Sequence, residues 1–125
     1  MDAPAIAVSG DGKKFAVSWM DMRSGKNDRK VFWSQSANGA FPPETPLAFD
    51  VAKSAGHPSI EIDSTGVLHA AWEEEAGRAP HIFTTTSAKD AKPVDIGAGK
   101  FPSLAAGKTV GIAYEAGDGV RFLRK

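Results

Sequence analysis

Three short clusters in the sequence combine an aromatic ring with carboxylates and basic groups. Trp19 is followed by Asp21 and Arg23, Trp72 by Glu73, Glu74, Glu75 and Arg78, and Tyr114 by Glu115 and Asp118. Rings beside carboxylates and guanidinium groups suit sugar recognition, because a ring can stack on a pyranose while charged groups make directed hydrogen bonds to its hydroxyls. Two polar lead-ins, Ala55-Gly56-His57 and Gly99-Lys100-Phe101, fall at corresponding places ahead of the second and third clusters. The candidate ligand-binding set is therefore Asp21, Arg23, His57, Glu74, Arg78, Lys100 and Glu115. No catalytic residue is assigned, because choosing a carboxylate pair for glycoside cleavage among Asp21, Glu74 and Glu115 requires distances.

Each of these groups also has a structural reading. Trp19, Trp72 and Tyr114 recur at one repeat position, as a packed layer would. Asp21 and Arg23 can bond to each other or to loop backbone. Glu73-Glu74-Glu75 reads as a solvated loop. His57, His69 and His81 are scattered, and with no cysteine present a metal site is not expected. Asp11-Gly12 and Asp63–Gly66 fit turns and lack the carboxylate density of a calcium loop. Phosphate-binding, nucleophile-elbow and zinc-protease motifs are absent, so no cofactor is expected. Lys plus Arg equals Asp plus Glu at 15 each, and the basic residues are dispersed. Nucleic acid is therefore not an expected partner. A membrane is not expected either, since no apolar run approaches the ~20 residues of a spanning helix.

The elements that must position these residues are short strands in a repeating order. Segments starting at Pro4, Pro58 and Pro102 each read as proline, an alternating run, a glycine-containing turn and a second alternating run ending in Trp19, Trp72 or Tyr114. Repeats of about 40–50 residues suit a four-stranded propeller blade. In the second run Phe15, Val17 and Trp19 share one face, as do Leu68, Ala70 and Trp72, then Val110, Ile112 and Tyr114. Ala16, Ser18, Ala71, Gly111 and Ala113 make the opposite, small-residue face. Third strands are predicted at Val31–Ser36, Ile82–Ser87 and Val120–Leu123, and fourth strands at Pro46–Phe49 and Val94–Ile96. Trp72–Ala76 has helical composition, cut short by Gly77 and Pro80. The chain thus reads as all-β and a single domain over 1–125, with three antiparallel blades at about 4–50, 58–97 and 102–125, the last lacking its outer strand.

The run Trp19-Met20-Asp21-Met22-Arg23-Ser24-Gly25, followed by Ser36-Ala37-Asn38-Gly39-Ala40-Phe41, resembles the repeats of the sialidase-like (BNR, Asp-box) β-propeller superfamily. Asn38 stands where the Asp of the family's S-x-D-x-G-x-x-W/F box would be, and Phe41 where its aromatic would be. Repeat two keeps only Ser87 and Asp90. The resemblance implies a six-bladed ring and, for active members, a site of several arginines, a Tyr–Glu nucleophile pair and an acid–base Asp. The Arg-Ile-Pro motif is absent, and Tyr114 and Glu115 point to opposite strand faces. The resemblance therefore speaks for architecture more than for activity.

Three blades leave two apolar faces uncovered, and patches of that size mark interfaces. The expected partner is a second copy, through open blade edges, closing a six-bladed homodimer, with carbohydrate at the polar mouth. The alternatives are a sialidase-like glycoside hydrolase with a site completed between chains, and a structural fragment of a larger propeller protein. Met1-Asp2-Ala3-Pro4 lacks a basic region followed by an apolar run. An extracytoplasmic location, which the resemblance implies, would require a signal already removed.

Overall fold

The computed structural model describes residues 4–22, 29–36, 39–41, 45–46, 54–77 and 79–125. Its eleven strands form three antiparallel sheets, each in plain sequential order. Sheet I holds β1 (Ala5–Val8), β2 (Phe15–Asp21), β3 (Lys30–Gln35) and β4 (Thr45–Pro46). Sheet II holds β5 (Ala55–Ile62), β6 (Leu68–Ala76), β7 (Ala79–Thr86) and β8 (Val94–Ala98). Sheet III holds β9 (Lys100–Ala106), β10 (Val110–Ala116) and β11 (Gly119–Arg124). No helix occurs among the described residues. The expected all-β architecture with antiparallel sheets of four, four and three strands is what the described residues form. Of the fourth strand expected at 46–49, residues 47–49 lie outside the described residues.

The same local devices recur in each sheet. The Ser36 hydroxyl accepts the Phe15 amide at 3.0 Å, and the Ser87 hydroxyl accepts the Leu68 amide at 3.0 Å. The backbone amides of Ser36, Ser87 and Lys125 donate to the carbonyls of Phe15, Leu68 and Val110. Ser36 and Ser87 thus latch the third strand to the start of the second. The first hairpins close on Gly12 and Gly66, at φ of 73° and 87°, a region glycine enters without a Cβ clash. In the second hairpin Asp63 fixes the turn by accepting the amides of Thr65 and Val67 through Oδ1.

The sheets pack face on face with constant polarity. Ile60, Ile62, Leu68, Ala70 and Trp72 of sheet II lie on Ala7, Ala16 and Val31 of sheet I. Leu104, Val110, Ile112 and Tyr114 of sheet III lie on Ala71 and Ile82 of sheet II. Large residues of the following sheet thus fill the space left by small residues of the preceding one. Backbone bonds tie the joints as well: the Ala55 amide donates to the Arg29 carbonyl and the Ser64 amide to the Gly107 carbonyl.

One sequence expectation is corrected. Glu73, Glu74 and Glu75 do not form a solvated loop. They belong to β6, whose pairing with β7 runs on to Ala76 opposite Ala79 across a turn at Gly77. Glu73 and Glu74 are buried. Helical composition in Trp72–Ala76 yields to strand pairing because each residue of this segment is in register with one of β7, while Gly77 supplies the positive φ that closes the hairpin.

Candidate functional site

The candidate site is built on the last turn of sheet II's second strand. Alternation along β6 sends Trp72 and Glu74 to one face and Glu73 to the other. The Trp72 indole Nε1–H donates to Glu74 Oε1 at 2.8 Å. Glu74 is only 1% exposed, and its Oε2 has no hydrogen-bond partner among the described residues. Burial raises the Glu74 carboxyl above its ordinary range. The Trp72 hydrogen bond opposes that rise, and the charge of Asp95 adds to it. Sheet I has a weaker counterpart, with Trp19 Nε1 3.4 Å from Asp21 Oδ2.

Glu73 works on the opposite face as a clasp between sheets II and III. Its Oε2 accepts the Phe101 amide at 2.9 Å and lies 2.6 Å from His57 Nδ1. The His57 ring meets the Phe101 ring edge-on, with centroids 4.8 Å apart. Both residues precede a proline and both have positive φ, 49° and 54°, where bulky side chains are rare. Each conformation costs about 1–3 kcal/mol. Each also coincides with a slip in strand register, between Gly56 and Ser59 in β5 and opposite the Ala113–Glu115 step in β9. These are β-bulges, which re-aim the chain at a strand end. The bulges explain why β5 begins at Ala55, ahead of the proline that opens the sequence repeat.

Around this clasp lies a hollow of about 220 Å³, lined by Arg29, His57, Glu73, Glu74, Glu75 and Lys100 among others. A neighbouring hollow of about 210 Å³ shares Pro80 and Lys100 with it and adds Glu115. Of the sequence-derived candidates, His57, Glu74 and Lys100 therefore come together, and Glu115 lies one hollow away. Asp21 lines neither hollow and sits at the end of β2, opposite Lys30. Arg23 and Arg78 lie outside the described residues. No group of three or more metal-ligating side chains occurs among the described residues.

Glu73, Arg29 and Phe101 were not in the candidate set. The signal for Glu73 was the extension of period-two alternation past Trp72, which the acidic run obscured. Gly99 also belongs here. A Cβ on it would lie 2.5 Å from Tyr114 Cδ2 and 2.9 Å from the Glu115 carbonyl, so only glycine lets β8 pass into β9 this close to β10.

No protein-family model matches the chain, and comparison with curated proteins finds no relative. The reading of function consequently rests on the geometry.

Proposed function

We propose that the chain is a β-propeller-type repeat module whose three sheets are the blades of a half ring, closed to six blades by a second copy. The observation that carries this reading is the contrast at one repeat position. Trp72 and Tyr114 are buried under the preceding sheet, whereas Trp19 is partly exposed and Ile6, Val8 and Phe15 on the same face are exposed. Trp19 stacks on Phe32 much as Trp72 stacks on Phe83, at centroid distances of 6.1 and 6.3 Å. The aromatic pair of sheet I is thus built like that of sheet II, while no sheet among the described residues lies over Trp19. The test is solution mass by light scattering on a sizing column. A value near twice the 13.1 kDa chain supports the reading, and a compact, stable monomer overturns it.

A second reading concerns the mouth. The juxtaposition of His57, Glu74, Lys100 and Arg29 around one hollow favours a small polar ligand, with carbohydrate as the class that fits carboxylates and cations arranged for hydroxyls. Binding on a glycan array that Lys100→Ala and His57→Ala weaken, without release of sugar from an aryl glycoside, supports a binding module. Release of sugar would instead support the glycoside-hydrolase alternative. Absence of any glycan binding removes the carbohydrate reading and leaves the assembly reading standing.

A further inference from the structure

Both joints inside the chain have one polarity, and among the described residues one face of sheet I and one face of sheet III have no sheet packed on them. On sheet I the face turned away from sheet II carries Ile6, Val8, Phe15, Val17 and Trp19, exposed or partly exposed, beside the buried Phe32 and Ser34 of β3. Ile6 is 69% exposed and Phe15 42%. On sheet III the uncovered face carries Ser103, Gly111, Ala113 and Phe122, with Phe122 68% exposed. The first is large along β1 and β2, whereas the second is small at Ser103, Ala105, Gly111 and Ala113 and carries its large side chains, Val120, Phe122 and Arg124, on the edge strand β11. We propose that they meet head to tail, the sheet I face of one copy seating on the sheet III face of a second copy. This rests on the self-association reading and fixes which surfaces meet.

Three correspondences support it. In the joint between sheets II and III, the Leu104 amide donates to the Ser59 hydroxyl at 3.0 Å. Ser103 occupies the place of Ser59 in its own sheet, and Ile6 occupies the place of Leu104, each one or two residues after the repeat's proline. A head-to-tail joint therefore has its serine acceptor on one side and its donor amide on the other. Glu115 likewise stands where Glu73 stands, one residue after the aromatic, and Glu73 is the side chain that clasps the lead-in of the next sheet. Finally, Phe122 pairs with Ala113 as Trp33 pairs with Ser18. Trp33 already packs into the joint between sheets I and II, so an aromatic at that place belongs to a joint of this kind. Face-to-face pairing of two sheet I surfaces would set large residues against large residues, an arrangement neither internal joint uses.

Two variants and a mixture test the polarity. Ile6→Glu charges the sheet I face and Phe122→Glu the sheet III face, both at exposed positions that leave each chain's own joints untouched. Each variant alone has both intermolecular joints damaged, so each is expected at half the wild-type mass. In a 1:1 mixture one joint has two unaltered faces, and a heterodimer of the wild-type mass is expected. A second measurement uses the absence of cysteine from the chain. With a short bismaleimide, Ile6→Cys chains and Ser103→Cys chains are expected to cross-link to each other and not to themselves. Self-cross-linking of Ile6→Cys, or a dimer that survives Phe122→Glu, overturns the head-to-tail joint while leaving self-association intact. A monomeric wild type overturns the self-association reading itself.

Discussion

Glu73→Ala removes the carboxylate that holds both bulged lead-ins. In the folded chain its Oε2 holds the Phe101 amide at 2.9 Å and His57 Nδ1 at 2.6 Å. Truncation leaves a part-buried amide without an acceptor and releases two residues held at positive φ. A hydrogen bond to a charged group contributes about 1.5–3 kcal/mol, and a buried group left unsatisfied costs about 1–3 kcal/mol. These describe the same loss from two sides and do not add, so the expected destabilisation is about 2 kcal/mol. Relaxation of the strained φ angles offsets a part of it. In urea, with a slope of about 2 kcal/mol per M, the midpoint should fall by about 1 M. The control is Glu75→Ala, which removes the same charge from an exposed position on the same strand and should change stability by less than about 0.5 kcal/mol. Both proteins are compared at one chain concentration, because any self-association would make the midpoint depend on it. Equal midpoints for the two variants would falsify the clasp. A His57→Ala, Glu73→Ala double-mutant cycle should return a coupling of about 0.5–3 kcal/mol, as expected for groups in contact.

Glu74 and Asp63 should give pH dependences of opposite sign. Burial raises Glu74 above the ordinary 4.5, so between these values the folded chain keeps a proton the unfolded chain has lost. Its contribution is full below pH 4.5 and is lost as pH rises through the folded pKa. The stability of wild type relative to Glu74→Gln should therefore fall with rising pH in urea titrations, and a flat difference would contradict the burial argument. Hydrogen bonds from Thr65 and His69 hold Asp63 below its ordinary 3.8. Its contribution is present above that value and disappears as pH falls through the folded pKa, so the gap between wild type and Asp63→Asn should close on acidification. Gly99→Ala and Gly111→Ala separate a rigid obstacle from a yielding one. The first sets a Cβ against Tyr114 and the Glu115 carbonyl and should cost about 1–3 kcal/mol in thermal unfolding. The second is tight only against the exposed Phe122 ring, which can turn away, with the Leu123 carbonyl at an ordinary 4.0 Å, and should cost less than about 1 kcal/mol.

The sheet order was legible because every repeat spells its first hairpin twice over, in period-two alternation and in glycine turns such as Asp11-Gly12. The serines at 36 and 87 were legible as a repeat feature, but their role as latches on Phe15 and Leu68 appears only when the strands are paired. The acidic run after Trp72 was misread because three consecutive carboxylates hide alternation: nothing in their identity distinguishes a strand with two polar faces from a loop. What separates them is the environment on each side, Trp72 indole for Glu74 and the Phe101 amide for Glu73, and both are contacts whose meaning depends on where other strands pass. The bulges at His57 and Phe101 were hidden for a related reason. A residue before proline is normally extended, so a positive φ there runs against local preference and is imposed by the joint.

The clasp and the uncovered faces bear on one another. Glu73 reaches Phe101 only because sheet III packs on the small face of sheet II, and the hollow lined by His57 and Lys100 draws on residues from both sheets. The other side of that hollow includes Arg29, at the lead-in to β3 of sheet I. The mouth is thus a product of joints, with polar groups collected wherever one sheet's second strand ends beside the next sheet's lead-in. A further joint of the same polarity would bring the lead-in of a second copy's sheet I beside Glu115, which already lines the neighbouring hollow. Under that arrangement the effect of Glu115→Ala should depend on association. It should be nearly silent in the monomeric Ile6→Glu background and should weaken the dimer in the wild-type background. Equal effects in both backgrounds would mean that Glu115 serves its own chain alone.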